Sequence, residues 1–208
     1  MNISKTVGLQ FIIEQHYMSK IAAFPLELVL LPNEQQALHL FESRYRQLYE
    51  HHKNGEPFVI VYQSSGKLSA YGSLVKIDQT AEIYPDGTID VIIKGIAAFA
   101  IHNFEEKGKK TLYPIVKGEK ILPDGKADQT LKSIFNTYLS KMCKKPPINK
   151  EFDLFYIAQR LNLDNIQKKK LMLMIENQKM NRYLLNQIKL VSSCLEQEEK
   201  LKQKFHLN

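Results

Sequence analysis

The fold turns on residues 80–94, which read Thr80-Ala81-Glu82-Ile83-Tyr84-Pro85-Asp86-Gly87-Thr88-Ile89-Asp90-Val91-Ile92-Ile93-Lys94. Two β-prone runs, residues 80–84 and 89–94, flank the tetrapeptide Pro85-Asp86-Gly87-Thr88. Proline presets φ at the first corner of a turn, and glycine accepts the positive φ that a later corner needs. The stretch is therefore a β-hairpin. Outward from it lie more short strand candidates: residues 26–31, closed by Pro32, and residues 57–62, stopped by Ser64-Ser65-Gly66. Residues 73–77, 99–104 and 111–116 add three more. One interruption is helical: in residues 41–53, Tyr45, Leu48 and Tyr49 fall at i, i+3 and i+4 before Gly55. About six strands at this spacing predict a small barrel or sandwich.

A second Pro-Asp-Gly, at residues 123–125, marks a change of regime. Beyond it Leu131, Ile134, Phe135, Tyr138 and Leu139 share a helical face, and Pro146-Pro147 ends that segment. Residues 152–161 predict a second helix, carrying Leu154, Ile157, Ala158 and Leu161. Asp164 is the expected N-cap of a third, running toward Glu196. Within it residues 171–175 are apolar on every side, which predicts a turn enclosed by protein. Leu184, Ile188, Val191 and Leu195 continue as a narrower stripe, and residues 196–204 form a charged tail expected to fray. Upstream, residues 1–17 resemble neither half, and Met18-Ser19-Lys20 is an alternative start. The expected plan is thus α+β: residues 1–19 an arm or upstream start, 20–125 a β-barrel subdomain, 126–208 a helical subdomain.

The 208 residues carry 29 Lys plus Arg against 22 Asp plus Glu, a formal charge of +7, with 44% hydrophobic and 25% charged residues. Such a composition excludes wholesale disorder. No run of eighteen apolar residues exists to span a membrane, and residues 9–13, followed by Glu14, are too short for a secretory core. The two cysteines, Cys143 and Cys194, cannot build a disulfide framework, so reduced thiols and a cytoplasmic location are expected. Residues 1–125 carry a net charge of −1 and residues 126–208 a net +8. Only Arg44, Arg46, Arg160 and Arg182 among the 29 basic residues are arginine. Base-edge readout favours the bidentate guanidinium, so a Lys-rich solvated helical face accounts for the charge better than specific DNA recognition.

Chemistry-bearing motifs are absent. Gly66-Lys67 lacks the earlier glycine and the following Ser or Thr of a phosphate-binding loop, and no Gly-x-Ser-x-Gly or His-Glu-x-x-His occurs. His51 and His52 are adjacent rather than one turn apart, so they cannot face one metal from a helix. Cys143 stands beside Lys144 and Lys145, which lowers a thiol's pKa, yet an idle thiol near a helix end is the plainer reading. His39, between Leu38 and Leu40, reads as a packed or surface imidazole. Nothing pairs a nucleophile with a base. A non-enzymatic binding module without cofactor or metal is expected.

Several segments together resemble the N-terminal domain of Lon ATP-dependent proteases. Phe24-Pro25-Leu26-Glu27-Leu28-Val29-Leu30-Leu31-Pro32 is similar to that family's opening strand. Leu38-His39-Leu40-Phe41-Glu42-Ser43-Arg44-Tyr45 resembles its Leu-x-Ile-Phe-Glu-x-Arg-Tyr, the most specific match. Residues 71–77, the hairpin from Asp86 to Gly95, and the helical stretches 157–163, 168–173 and 182–185 follow in order. One departure stands out: Ala97-Ala98 precede Phe99 where the family commonly has Arg before Phe. The ATPase and Ser-Lys protease modules of Lon have no counterpart before Asn208, so the chain resembles a stand-alone substrate-binding domain. The resemblance implies a PUA-like β-barrel followed by a helical bundle, and recognition of protein substrates rather than hydrolysis.

Under that resemblance Phe41, Glu42, Arg44 and Tyr45 become candidate substrate-binding residues. The competing reading has Glu42 and Arg44 pinning the loop by ion pairing while Phe41 and Tyr45 enter the core. Met172 and Met180 are further candidates, since methionines offer a pliable peptide-binding surface, with core packing the alternative; for Met174 the core is the better reading. The expected partners are unfolded or exposed polypeptide segments and a protease machine the chain would serve as adaptor. RNA bound by the basic helical half is the competing expectation, although no aromatic-plus-Arg stacking surface is legible there. A small-molecule reading, from the related domain of eukaryotic adaptors, calls for a four-Cys zinc module that two cysteines cannot supply.

Overall fold

The computed structural model describes residues 19–108, 110–121, 123–142 and 153–205. Six strands and five helices follow in the order β1 (Ser19–Leu26), β2 (Gln35–Leu40), α1 (Ser43–His52), β3 (Phe58–Ser64), β4 (Lys67–Ile83), β5 (Ile89–Glu105), β6 (Ile115–Ile121), α2 (Gln129–Lys141), α3 (Leu154–Gln159), α4 (Asn165–Met172) and α5 (Asn177–Phe205). The mixed α+β class is as expected. Residues 1–18 of the expected arm 1–19, Cys143 and Pro146-Pro147 fall outside the described residues, and Ser19 belongs to β1 rather than to an arm.

The hairpin of residues 80–94 is the spine of the sheet. Tyr84 donates its N–H to the Thr88 carbonyl, Gly87 takes φ +81°, and the Asp86 carboxylate accepts from both the N–H and the hydroxyl of Thr88. Its two strands are far longer than the sequence predicted. Residues 73–77 and 80–84 merge into the 17-residue β4, and residues 89–94 and 99–104 into the 17-residue β5, because bulges absorb the breaks in pattern. The sheet order is β2-β5-β4-β3-β1-β6, and β6 returns to pair with β5. That closes five strands into a ring, while β2 lies along only the first half of β5. The exchange of partners happens at Gly95. A side chain there would drive its Cβ into the Leu31 carbonyl oxygen, so only glycine lets residues 31–34 cross. Asn33 donates to the Gly95 carbonyl and Gly95 to that of Glu34.

Of residues 26–31, expected as a strand, only Leu26 is in one, as the last residue of β1. Residues 27–31 follow as an irregular connection that becomes buried at Val29, and side chains satisfy its backbone groups. Val29 N–H donates to Asn165 Oδ1, Leu30 N–H to Ser73 Oγ, and Leu31 N–H to Glu34 Oε2. Strand β1 instead begins at Ser19, pairing parallel with β3 and antiparallel with β6. Likewise the last strand is Ile115–Ile121 rather than residues 111–116.

Alternation along the strands feeds two apolar clusters on opposite faces. Phe24, Phe58, Ile60, Val75 and Ile93 meet Tyr45, Leu48 and Tyr49 of α1, while Ala23, Val59, Val61, Leu74, Phe99 and Val116 pack together on the other face. A third cluster joins the helices to the sheet: Phe135, Leu154, Ile157, Leu171, Met180 and Leu184 pack with Val29, Leu31 and Ala98. Ala97 and Ala98, the departure from the family pattern, are both buried here in β5.

In the helical half, Asp128, Asp153 and Asp164 each cap a helix, the last through a capping box with Gln167. The expected single helix from Asp164 to Glu196 is two helices. Helix α4 ends at Met172, and Ile175, expected to be enclosed, is 72% exposed in the link to α5. The tail expected to fray from residue 196 continues as helix to Phe205. Among the described residues no helix is long and apolar enough to cross a membrane.

Candidate functional site

Between β2 and α1 the chain runs through Phe41 and Glu42 at the mouth of a groove of about 630 Å³. Glu42 occupies the N-cap position of α1, but its side chain caps nothing, because its carboxylate accepts from Arg44 Nε at 2.8 Å. The Glu42 hydrogen bond is the main reason the Arg44 guanidinium is held still further above its ordinary pKa. Arg44 also lies 4.6 Å from the Tyr45 ring centroid. Tyr45 itself is buried and stacks on Phe24, with ring centroids 3.7 Å apart; burial pushes its phenol upward in pKa. Arg46 reaches back to the Asp86 carbonyl, tying α1 to the hairpin turn.

These four sequence candidates therefore divide. Tyr45 forms floor, Glu42 and Arg44 form a paired rim, and Phe41 stands 63% exposed rather than entering the core. Leu68, from the start of β4, lines the same groove and is also exposed. Exposed apolar surface from two elements thus borders one concavity, a feature of binding sites.

Beside Phe41 lies a network that sequence reasoning missed. His39 Nδ1 is 2.7 Å from Asp90 Oδ1, and the Tyr84 hydroxyl donates to Asp90 Oδ2 at 2.7 Å. The bond to His39, then that to Tyr84, holds the Asp90 carboxyl below its ordinary value, while the same Asp90 bond pushes the Tyr84 phenol up to about 12. The β2–β5 register, which places His39 opposite Asp90, was the signal that would have revealed it.

Met172 and Met180 offer no peptide surface. Met180 is fully buried and Met172 nearly so, both within the cluster that joins helices to sheet. Met172 does border a slot beside Val29, Tyr62 and Ala98, but at about 10 Å³ it holds at most one water. Met174 packs against the same cluster, partly buried. Among the described residues no three His, Cys, Asp or Glu side chains gather to hold a metal. His51 bonds the Tyr113 hydroxyl and His52 the Glu56 carbonyl, so the adjacent pair diverges.

The family described as the ATP-dependent protease La (LON) substrate-binding domain matches residues 20–205. Among solved structures, the Lon N-terminal domain protein from Xanthomonas campestris is similar with a TM-score of 0.63 at 19% identity, covering 81% of this chain and 96% of that one. The N-terminal domain of the Mycobacterium avium complex Lon protease has a TM-score of 0.52 at 13% identity, covering 82% and 98%. No curated protein matches.

Proposed function

The chain belongs to the Lon substrate-binding domain family, and on that footing we propose that the groove beside Phe41 binds unfolded or exposed polypeptide segments. The observation that carries this reading is that exposed Phe41 and Leu68 line one groove together with the stacked Phe24 and Tyr45. A lone exposed aromatic is ordinary; one that lines a concavity together with a second exposed apolar side chain is a contact awaiting a side chain. Glu42 and Arg44 satisfy each other, so that pair asks for no particular ligand charge. In this reading residues 20–125 are the binding body and residues 126–208 its support. The chain works in the cytoplasm as an adaptor that hands polypeptides to a protease machine.

The test is titration of a reduced, alkylated and fluorescently labelled polypeptide at physiological salt. Saturable binding that weakens roughly tenfold in Phe41→Ser is expected. Absence of saturable binding would remove the proposal. RNA is the control ligand: affinity for it falling steeply with salt would instead locate function in the basic helical half. Several of that half's cations are already engaged, Lys168 with Glu34, Lys141 with Glu196, and Arg160 3.4 Å from the Tyr156 ring centroid.

A further inference from the structure

Strand β2 is the end of the sheet order: its register is with β5 alone, and its other edge has no strand partner among the described residues. The hydrogen-bond phase of that edge follows from Gly95. Since Gly95 N–H donates to the Glu34 carbonyl and residues 35–40 pair in unbroken register with 94–89, Gln36, Leu38 and Leu40 turn their amides toward β5. The N–H and C=O groups of Gln35, Ala37 and His39 therefore point outward, away from the sheet; the Ala37 carbonyl there accepts from Gln36 Nε2 at 3.2 Å, an exposed bond that an added strand would displace. A second free edge lies at the same place. Strand β1 is paired with β6 only over Ser19 to Ala22, and beyond the Ala23 bond to Pro114 its residues Phe24, Pro25 and Leu26 have β3 on one side alone. Phe24, Pro25 and Leu26 of β1 and the Leu38–His39 end of β2 line the groove that carries Phe41.

We propose that a polypeptide seated in the groove continues as an added β-strand along β2, hydrogen-bonded to the outward backbone groups of His39 at the groove and of Ala37 and Gln35 beyond it. This rests on the polypeptide-binding reading above and specifies its mode. An extended backbone is the occupant that matches the unpaired β2 edge, for it supplies donors and acceptors at the spacing that edge presents. The short β1 edge, where the Ala23 N–H is already bonded to Pro114 and Pro25 has no N–H, offers carbonyl acceptors at most. Six residues of β2 span about 20 Å, enough for a segment of six to eight residues. Alternate side chains of such a segment would point to one face, where Leu38, Phe41 and Leu68 wait; the others would face water. The charged groups beside the edge are internally matched, His39 with Asp90 and Arg44 with Glu42, and Glu106 at the far rim disfavours acidic segments. The ligand class is therefore an extended, apolar-alternating, neutral to basic segment, read chiefly through its backbone.

The probe is a capped octapeptide alternating Val or Phe with Thr, together with two forms N-methylated at the odd or at the even amides. One methylation pattern blocks the amides that face β2 and should lose at least tenfold in affinity; the other should stay within about threefold of the parent. On the protein side, Ala37→Pro deletes an outward N–H without touching the β5 ladder, a position where an edge strand accepts proline. It should bind the parent octapeptide about tenfold more weakly than Ala37→Val, with an unchanged thermal midpoint. Equal loss for the two methylation patterns, or equal affinity of Ala37→Pro and Ala37→Val, would overturn the added-strand mode while leaving polypeptide binding intact. Failure of both the octapeptide and the labelled unfolded polypeptide to bind would overturn the two readings together. The methylated pair is titrated against the wild-type protein, so it decides the binding mode even if Ala37→Pro fails to fold.

Discussion

Phe41 and Met180 are both large apolar side chains in segments that matched a substrate-binding family, yet one is 63% exposed and the other fully enclosed. The difference lies in what surrounds each backbone. Met180 sits in the first turns of α5, where α2, α3 and α4 leave its face no solvent. Phe41 occupies the two-residue link between β2 and α1, where Leu40 has already entered the core and Tyr45 enters next. The chain there has to turn outward, and Phe41 rides on the outside of the bend. A residue type that is adaptable in principle, as methionine is, does not make a binding surface; the local path of the chain does.

Substitutions can press on that contrast. The largest effect on stability is expected for Met180→Ala, which leaves a cavity in the cluster that holds the helices to the sheet. A loss of about 2–5 kcal/mol is expected, measured by chemical denaturation. Peptide affinity at a temperature where the variant is still folded should be unchanged. A fall in affinity without a fall in stability would return Met180 to the site.

Next in size is Asn165→Ala. Asn165 accepts from Val29 N–H at 3.0 Å and donates to the Glu27 carbonyl at 2.9 Å, so its side chain serves the irregular connection as a strand partner would. Removing it leaves a donor on the buried Val29 without its partner, a cost of about 1–3 kcal/mol by denaturant titration. A loss below about 0.5 kcal/mol would mean that water replaces the amide.

The same connection explains where sequence reading succeeded and where it stopped. The hairpin at Pro85 to Thr88 was legible because its causes are local: Pro85 at the first corner, Gly87 at φ +81°, Asp86 bonding two residues ahead. The short helix after Phe41 and the Asp164 cap share that locality, while the equally local caps at Asp128 and Asp153 went unread. Residues 27–31 have the composition of a strand, and besides the nearby Glu34 it is Ser73 and Asn165, the latter 136 positions from Val29, that decide otherwise. Periodicity cannot see partners at that distance. The break between α4 and α5 escaped for a related reason: residues 171–175 are uniformly apolar, so pattern alone gave no face on which Ile175 could be exposed. Phe41, Glu42, Arg44 and Tyr45 line the groove, but which of these side chains face solvent depends on α1 docking over the sheet.

A smaller effect tests the polar flank of the groove. Asp90 is held below its ordinary value of 3.8, first by His39 and then by the Tyr84 hydroxyl. For a carboxylate depressed in the folded state, the stabilising contribution is complete above the unfolded value and disappears as pH falls through the folded one. His39→Ala removes the larger cause, so the Asp90 titration midpoint should rise toward 3.8 when followed by carboxyl-carbon NMR. The acid limb of the stability curve should then begin at slightly higher pH. An unmoved midpoint would assign the depression to Tyr84 alone, and Tyr84→Phe would then carry the whole shift.

The smallest expected change in stability belongs to the residue given the largest role in binding. Phe41→Ser removes a ring that the folded chain scarcely buries, so denaturation should register within about 0.5 kcal/mol of the parent. A neighbouring ring complicates this only slightly, since His39 lies 6.2 Å away by centroid and keeps its bond to Asp90 without Phe41. Stability held constant while peptide affinity drops places the energy of Phe41 in the complex rather than in the fold. A loss of about 2 kcal/mol or more in the unliganded protein would say the opposite. The ring would then be packed in solution, the bend would not carry it outward, and the contrast with Met180 would vanish.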